Sequence, residues 1–154
     1  MKTYDLTQAI IGMSDAKDWD SARREWSVLN IYKVDGIENA EQCLCGHYPI
    51  MELCYIHNKK TESKALVGNC CVKKFMGIDL NQVFDGLKRI MKDDSKAANA
   101  AVIEHCYGND ILTDWEYEFC NDTKSKRSLT VKQLSIRKRI NQKVISSLLK
   151  KKVK

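Results

Sequence analysis

The sequence predicts an α+β fold, mostly helical, gathered into a single domain over residues 1–154. Three observations carry this expectation. Residues 43–75, CLCGHYPIMELCYIHNKKTESKALVGNCCVKKF, hold five of the seven cysteines and two of the three histidines around a strand, turn, strand pattern. Residues 79–93 place apolar side chains at helical spacing. Residues 124–154 carry 12 Lys and Arg and no acid.

A chain of 154 residues, 44% of them apolar, can bury one core. No apolar run approaches the roughly 18 residues of a membrane span. The opening MKTYDLTQAI lacks the basic and apolar regions of a signal peptide. The expectation is a soluble cytoplasmic protein without a membrane partner. In a reducing compartment clustered cysteines hold metal more often than they form disulfides, and a count of seven leaves one over in any all-disulfide scheme. The net charge of +6 is uneven: residues 1–123 carry 14 Lys and Arg against 20 Asp and Glu, and the remainder supplies +12. Such asymmetry fits a nucleic acid, an acidic partner, or a tail lying on its own body.

Ser14 and Asp18 are good N-caps for a helix running to about Trp26. SVLNIYKV then alternates as a strand, and DGIENAEQ reads as a loop into the cysteines. After the window, Leu80, Val83, Phe84, Leu87, Ile90 and Met91 line one helix face behind an Asp79/Gln82 capping box. Ser95 is the expected cap of an alanine-rich helix stopped by Gly108. Thr113 with Glu116 opens a short helix expected to turn Trp115 and Phe119 to the core. Thr130 with Gln133 opens the last helix, within a basic segment 128–154 whose apolar face includes Leu134, Ile136, Ile140, Val144, Ile145, Leu148 and Leu149.

Inside the window, Cys43 and Cys45 followed by Gly46 form a tight turn with two thiol ligands. IMELCYIHN, NKKTES and KALVG read as strand, turn and returning strand, and Asn69 caps a helix that carries Cys70 and Cys71 and ends at Gly77. Adjacent cysteines diverge by about 100° on a helix, so one of the two is core. His47, Cys54 and His57 remain open as the fourth ligand; Cys54 and His57 face opposite sides of a regular strand, so only one of them can face the metal.

This order of knuckle, hairpin and helix, over residues 43–77, resembles a treble-clef zinc finger, with C-x-C in place of the usual C-x-x-C. The words CxCGH and VGNxCVxxF also resemble small proteins encoded by phages and mobile elements, and accessory segments of helicase-like proteins. The resemblance implies Zn2+ held by Cys43, Cys45, Cys71 and His47, with Cys54 as the alternative fourth ligand. It implies a zinc-stabilised hairpin and no established activity.

Treble clefs also carry HNH-type nucleases, but Lys73 and Lys74 stand where that chemistry needs metal ligands. The deaminase pair H-x-E and P-C-x-x-C and the glycine-rich phosphate motifs are missing. His105 and Cys106 are neighbours on a helix and point apart. The expectation is therefore a non-catalytic, zinc-binding protein that contacts nucleic acid, DNA first, through Lys59, Lys60, Lys73, Lys74, Arg137, Lys138, Arg139 and Lys143. Tyr48 and Tyr55 are candidates for base stacking. The alternative is a small phage-type inhibitor that binds a host protein.

Overall fold

The structure is a computed structural model that describes residues 3–150, the side chains of residues 3–5 excepted. The described residues form seven α-helices and one four-stranded sheet, an α+β fold in which about half of the chain is helical. They gather into two compact units, one running to Asp79 and taking in Leu149 and Lys150, the other Leu80–Leu148.

The first unit is built on the sheet. β1 (Trp26–Val34) pairs antiparallel with β2 (Glu52–Asn58), and β2 pairs antiparallel with β3 (Lys64–Gly68). β4 (Leu149–Lys150) adds parallel to Lys33 and Val34 at the outer edge of β1, giving the order β3-β2-β1-β4. Cys54 stands opposite both Ile31 and Val67 in register, and all three are buried, as the period-2 alternation requires for one face turned inward. α1 (Thr3–Gly12) was not expected, although Leu6 and Ile10 stand one helical turn apart and are 1% and 0% exposed. The long helix expected to run to Trp26 is instead α2 (Trp19–Arg23), capped by Asp18. It stops early because Trp26 already belongs to β1. Ser14 does not start that helix: its hydroxyl donates to the Ile10 carbonyl and accepts from Trp26 Nε1. α3 (Asn69–Met76) follows β3 directly and ends at Gly77, which takes the left-handed C-cap at φ 71°.

A buried polar knot ties the hairpin to the N-terminal helices. The Glu25 carboxylate, 2% exposed, accepts from the amides of Asp15 and Ala16 and from Asn58 Nδ2, each at 2.9 Å. Asn58 Oδ1 accepts from the Lys60 and Thr61 amides and so shapes the β2–β3 turn. The bond from Asn58 first, and then the two amides, hold the Glu25 pKa below its ordinary value against the opposing effect of burial.

The second unit is helical: α4 (Asn81–Lys92), α5 (Ala100–Gly108), α6 (Asp114–Thr123) and α7 (Val131–Leu148). Two capping boxes have the reciprocal bonds their sequences suggest, Thr113 with Glu116 and Thr130 with Gln133. Three other cap assignments fail. Asn69 is the first residue of α3, whose N-cap is Gly68 with no side-chain bond. Leu80 holds the N-cap position of α4 and provides no side-chain bond. Ser95 spends its hydroxyl on Asp93, and Asn99 caps α5 by accepting from the Val102 amide. Trp115, expected in the core, is 54% exposed. α7 buries Ile140, Val144 and Leu148, and the buried Asn141 donates to the carbonyls of Asp94 and Lys96. The helix ends at Leu148, earlier than the basic segment suggested, because Leu149 and Lys150 pair as strand; residues 151–154 lie outside the described residues.

Asn58→Ala strands the amides of Lys60 and Thr61 and should cost about 2–3 kcal/mol in urea denaturation. Because the folded pKa of Glu25 lies below the ordinary 4.5, its contribution is present above pH 4.5 and lost as pH falls through the lower folded value. Glu25→Gln should therefore flatten the acid limb of a Tm against pH curve below pH 4.5.

Candidate metal centre

Residues 43–47 close a tight turn: the Gly46 amide donates to the Cys43 carbonyl at 2.8 Å, and the Cys43 amide to the His47 carbonyl at 2.9 Å. Gly46 sits at φ 97°, a conformation that a side chain would strain. The Leu44 amide donates to the Leu66 carbonyl and fastens this turn to β3. The Cys43 and Cys45 side chains therefore meet Cys71, delivered by the first turn of α3.

The sulfurs of Cys43, Cys45 and Cys71 lie within 4.8 Å of one another, and all three residues are buried. Three such thiols can hold a metal ion. Main-chain amides point at them: Gly68 to Cys43 Sγ at 3.3 Å, Cys45 to Cys43 Sγ at 3.5 Å, and His47 to Cys45 Sγ at 3.4 Å. Amide dipoles aimed at sulfur favour thiolate, the form a metal binds, and fix the sulfur positions. Cys43 and Cys71 face each other at 3.5 Å. The hydrogen bond from Cys71, with help from the Cys45 and Gly68 amides, pulls the Cys43 thiol well below the usual cysteine range; the same contact pushes Cys71 above it. All seven cysteines are free thiols.

The remaining sequence candidates stand apart from this group. Cys70, expected in the core, is instead exposed: the 100° step turns it away from Cys71, but to the surface side of α3. Cys54 is wholly buried between β1 and β3, its thiol pushed up to about 12, mainly by burial. His57 Nε2 lies 2.8 Å from Glu62 across the hairpin turn. His47 is exposed beside the knuckle. Among the described residues no fourth His, Cys, Asp or Glu joins the three cysteines.

The basic candidates fall into two sets. Lys59, Lys60 and Lys74 present exposed side chains from the hairpin turn and α3, while Lys73 pairs with Asp79 at 3.4 Å. In the second unit Lys138 and Arg139 are exposed. Arg137 instead donates to the carbonyls of Ser95 and Thr123, and Lys143 lies 2.7 Å from Glu116, so both hold α7 in place. Tyr55 is half-buried, with its ring 4.4 Å from Lys150 Nζ, which also donates to its hydroxyl; Tyr48 is 59% exposed. Sequence reading missed two features: the amides aimed at sulfur, and a groove in the first unit lined by Arg23, Arg24, Trp26, Phe75, Met76 and Ile78. Only the adjacent arginines of SARREW hinted at the second.

The chain matches no protein-family model, no curated protein and no solved structure.

Purified reduced protein should carry one equivalent of bound metal by native mass spectrometry. Cys43→Ser and Cys71→Ser should each abolish it, whereas Cys70→Ser, on the exposed side of α3, should retain it.

Proposed function

We propose that the chain is a non-catalytic zinc protein of phage or mobile-element type whose metal holds a treble-clef-like hairpin against nucleic acid, DNA foremost. The observation that carries this reading is the convergence of Cys43, Cys45 and Cys71 at the base of a hairpin whose far turn carries exposed Lys59 and Lys60, with exposed Lys74 on α3. Sulfur-rich, tetrahedral sites suit zinc, and four protein ligands make a site structural because no position is left for water. His47 is the proposed fourth ligand. Its main-chain amide already touches Cys45 Sγ, and its side chain is free of the core. Cys54, its thiol proton held by burial, is the weaker candidate.

Lys59, Lys60, Lys64 and Lys74 are exposed cations on this module, and Arg23 and Arg24 border its groove. Neutralising phosphates with such side chains releases counterions and gives binding with little sequence preference. Lys138 and Arg139 add exposed charge on α7.

His47→Ala should weaken zinc binding by at least about tenfold, the scale of losing a metal contact, while Cys54→Ala should leave the metal in place and cost about 1–2 kcal/mol of stability. Fluorescence anisotropy with duplex DNA should show affinity falling about a hundredfold between about 50 mM and 200 mM salt, the slope for about four phosphate contacts. Lys59→Glu with Lys60→Glu should abolish binding at the higher salt. Salt-independent binding, or copurification with one host protein after nuclease treatment in place of DNA binding, would favour the inhibitor alternative.

A further inference from the structure

α6 departs from the usual logic of a surface helix. Asp114, Glu118 and Asp122 stand at i, i+4 and i+8, like charges at the spacing that destabilises a helix. Across residues 100–123 there are six acids and no Lys or Arg. The structure relieves only part of this. Asp114 accepts from the Tyr107 hydroxyl at 2.8 Å, and Lys143 neutralises Glu116. Glu118 and Asp122 are exposed and make no hydrogen bond or ion pair among the described residues.

The same face displays a large aromatic surface. Trp115 is 54% exposed and stacks on Phe119, with ring centroids 5.4 Å apart and planes 17° apart. At 100° per residue, Trp115, Glu118, Phe119 and Asp122 occupy one arc of about 100°. Trp115, Glu118 and Asp122 are exposed there, an indole face with two unneutralised carboxylates beside it, while Phe119 is half-buried beneath. Local repulsion and exposed tryptophan both cost stability, and sequences tolerate such conflicts chiefly where function requires them.

We propose that this face of α6 docks an arginine- or lysine-rich segment of a partner protein. Charge complementarity selects the occupant. A guanidinium or ammonium over the indole gains cation–π attraction, and neighbouring cations pair with Glu118 and Asp122. Arginine fits best, because its planar fork stacks on a ring while bonding a carboxylate. Phosphate-bearing partners are repelled by the same charges, so this surface is distinct from the proposed nucleic-acid contact and stands whether or not that reading holds.

The test uses the full chain with a synthetic arginine-rich peptide and a glutamate-substituted counterpart, at low and moderate salt. Heteronuclear NMR follows the three Trp indole signals, with Trp115 assigned through Trp115→Phe. The arginine peptide should shift the Trp115 signal selectively. Glu118→Lys with Asp122→Lys, and separately Trp115→Ala, should each lower affinity about tenfold, the combined scale of exposed ion pairs and a cation–π contact. Asp85→Lys, exposed elsewhere on this unit, should change affinity by less than about twofold if the site is local and more than long-range charge. Glu118→Gln with Asp122→Asn removes the repulsion, so its Tm should hold or rise while binding weakens, which separates docking from folding. No binding at low salt, equal losses from Asp85→Lys, or binding untouched by the α6 variants would overturn the proposal. So would sedimentation showing a self-associated protein that the α6 variants return to monomer, since the occupant would then be a second copy.

Discussion

Three buried sulfurs within 4.8 Å of one another impose a severe electrostatic constraint, because they cannot all ionise in a site closed to water unless a cation joins them. Cys43 and Cys71 show the strain of the shared site, one thiol pulled down and the other up by a single contact. Much of the first unit is arranged around bringing those sulfurs together. The glycine turn at 43–47, the Leu44 bond to β3 and the immediate passage from Gly68 into α3 each position one of them. A hairpin of seven and five residues has little core of its own, so a cation at its base would stabilise it strongly.

The opposite end of the hairpin is fastened by different chemistry. Glu25 and Asn58 exchange bonds with four main-chain amides and each other, joining the turn to the segment between α1 and α2. One end is thus held by sulfur and the other by a buried carboxylate. Lys59 and Lys60 lie at the carboxylate end, with hydrogen-bonded main chain and exposed side chains. In the second unit, positive charge that looked available in sequence is partly structural. Arg137 binds the carbonyls of Ser95 and Thr123, so its removal would loosen α7 before it altered any surface.

Features written in local chemistry were legible. The β2–β3 hairpin, β1, the stop at Gly77 and the capping boxes at Thr113 and Thr130 depend on residues only a few positions apart. Features set by distant partners were not. Nothing near Leu149 and Lys150 indicates that they leave the helical pattern, since their strand partners are Lys33 and Val34. Ser95 failed as a cap because Asp93 captures its hydroxyl and Asn99 is better placed. At the candidate metal centre, the C-x-C-G spacing pointed to Cys43 and Cys45; Cys71 over Cys70 came from the resemblance, and the side of α3 that faces the knuckle agrees with it. The fourth ligand was not legible because His47 and Cys54 differ in burial, which spacing does not encode.

Zinc K-edge X-ray absorption of the purified reduced protein reads the ligand shell itself. The expected spectrum is zinc with three sulfur neighbours at about 2.3 Å and one nitrogen at about 2.0 Å. A protein that folds and stays reduced without metal, or a zinc shell lacking sulfur, would contradict it and leave the three thiols as core.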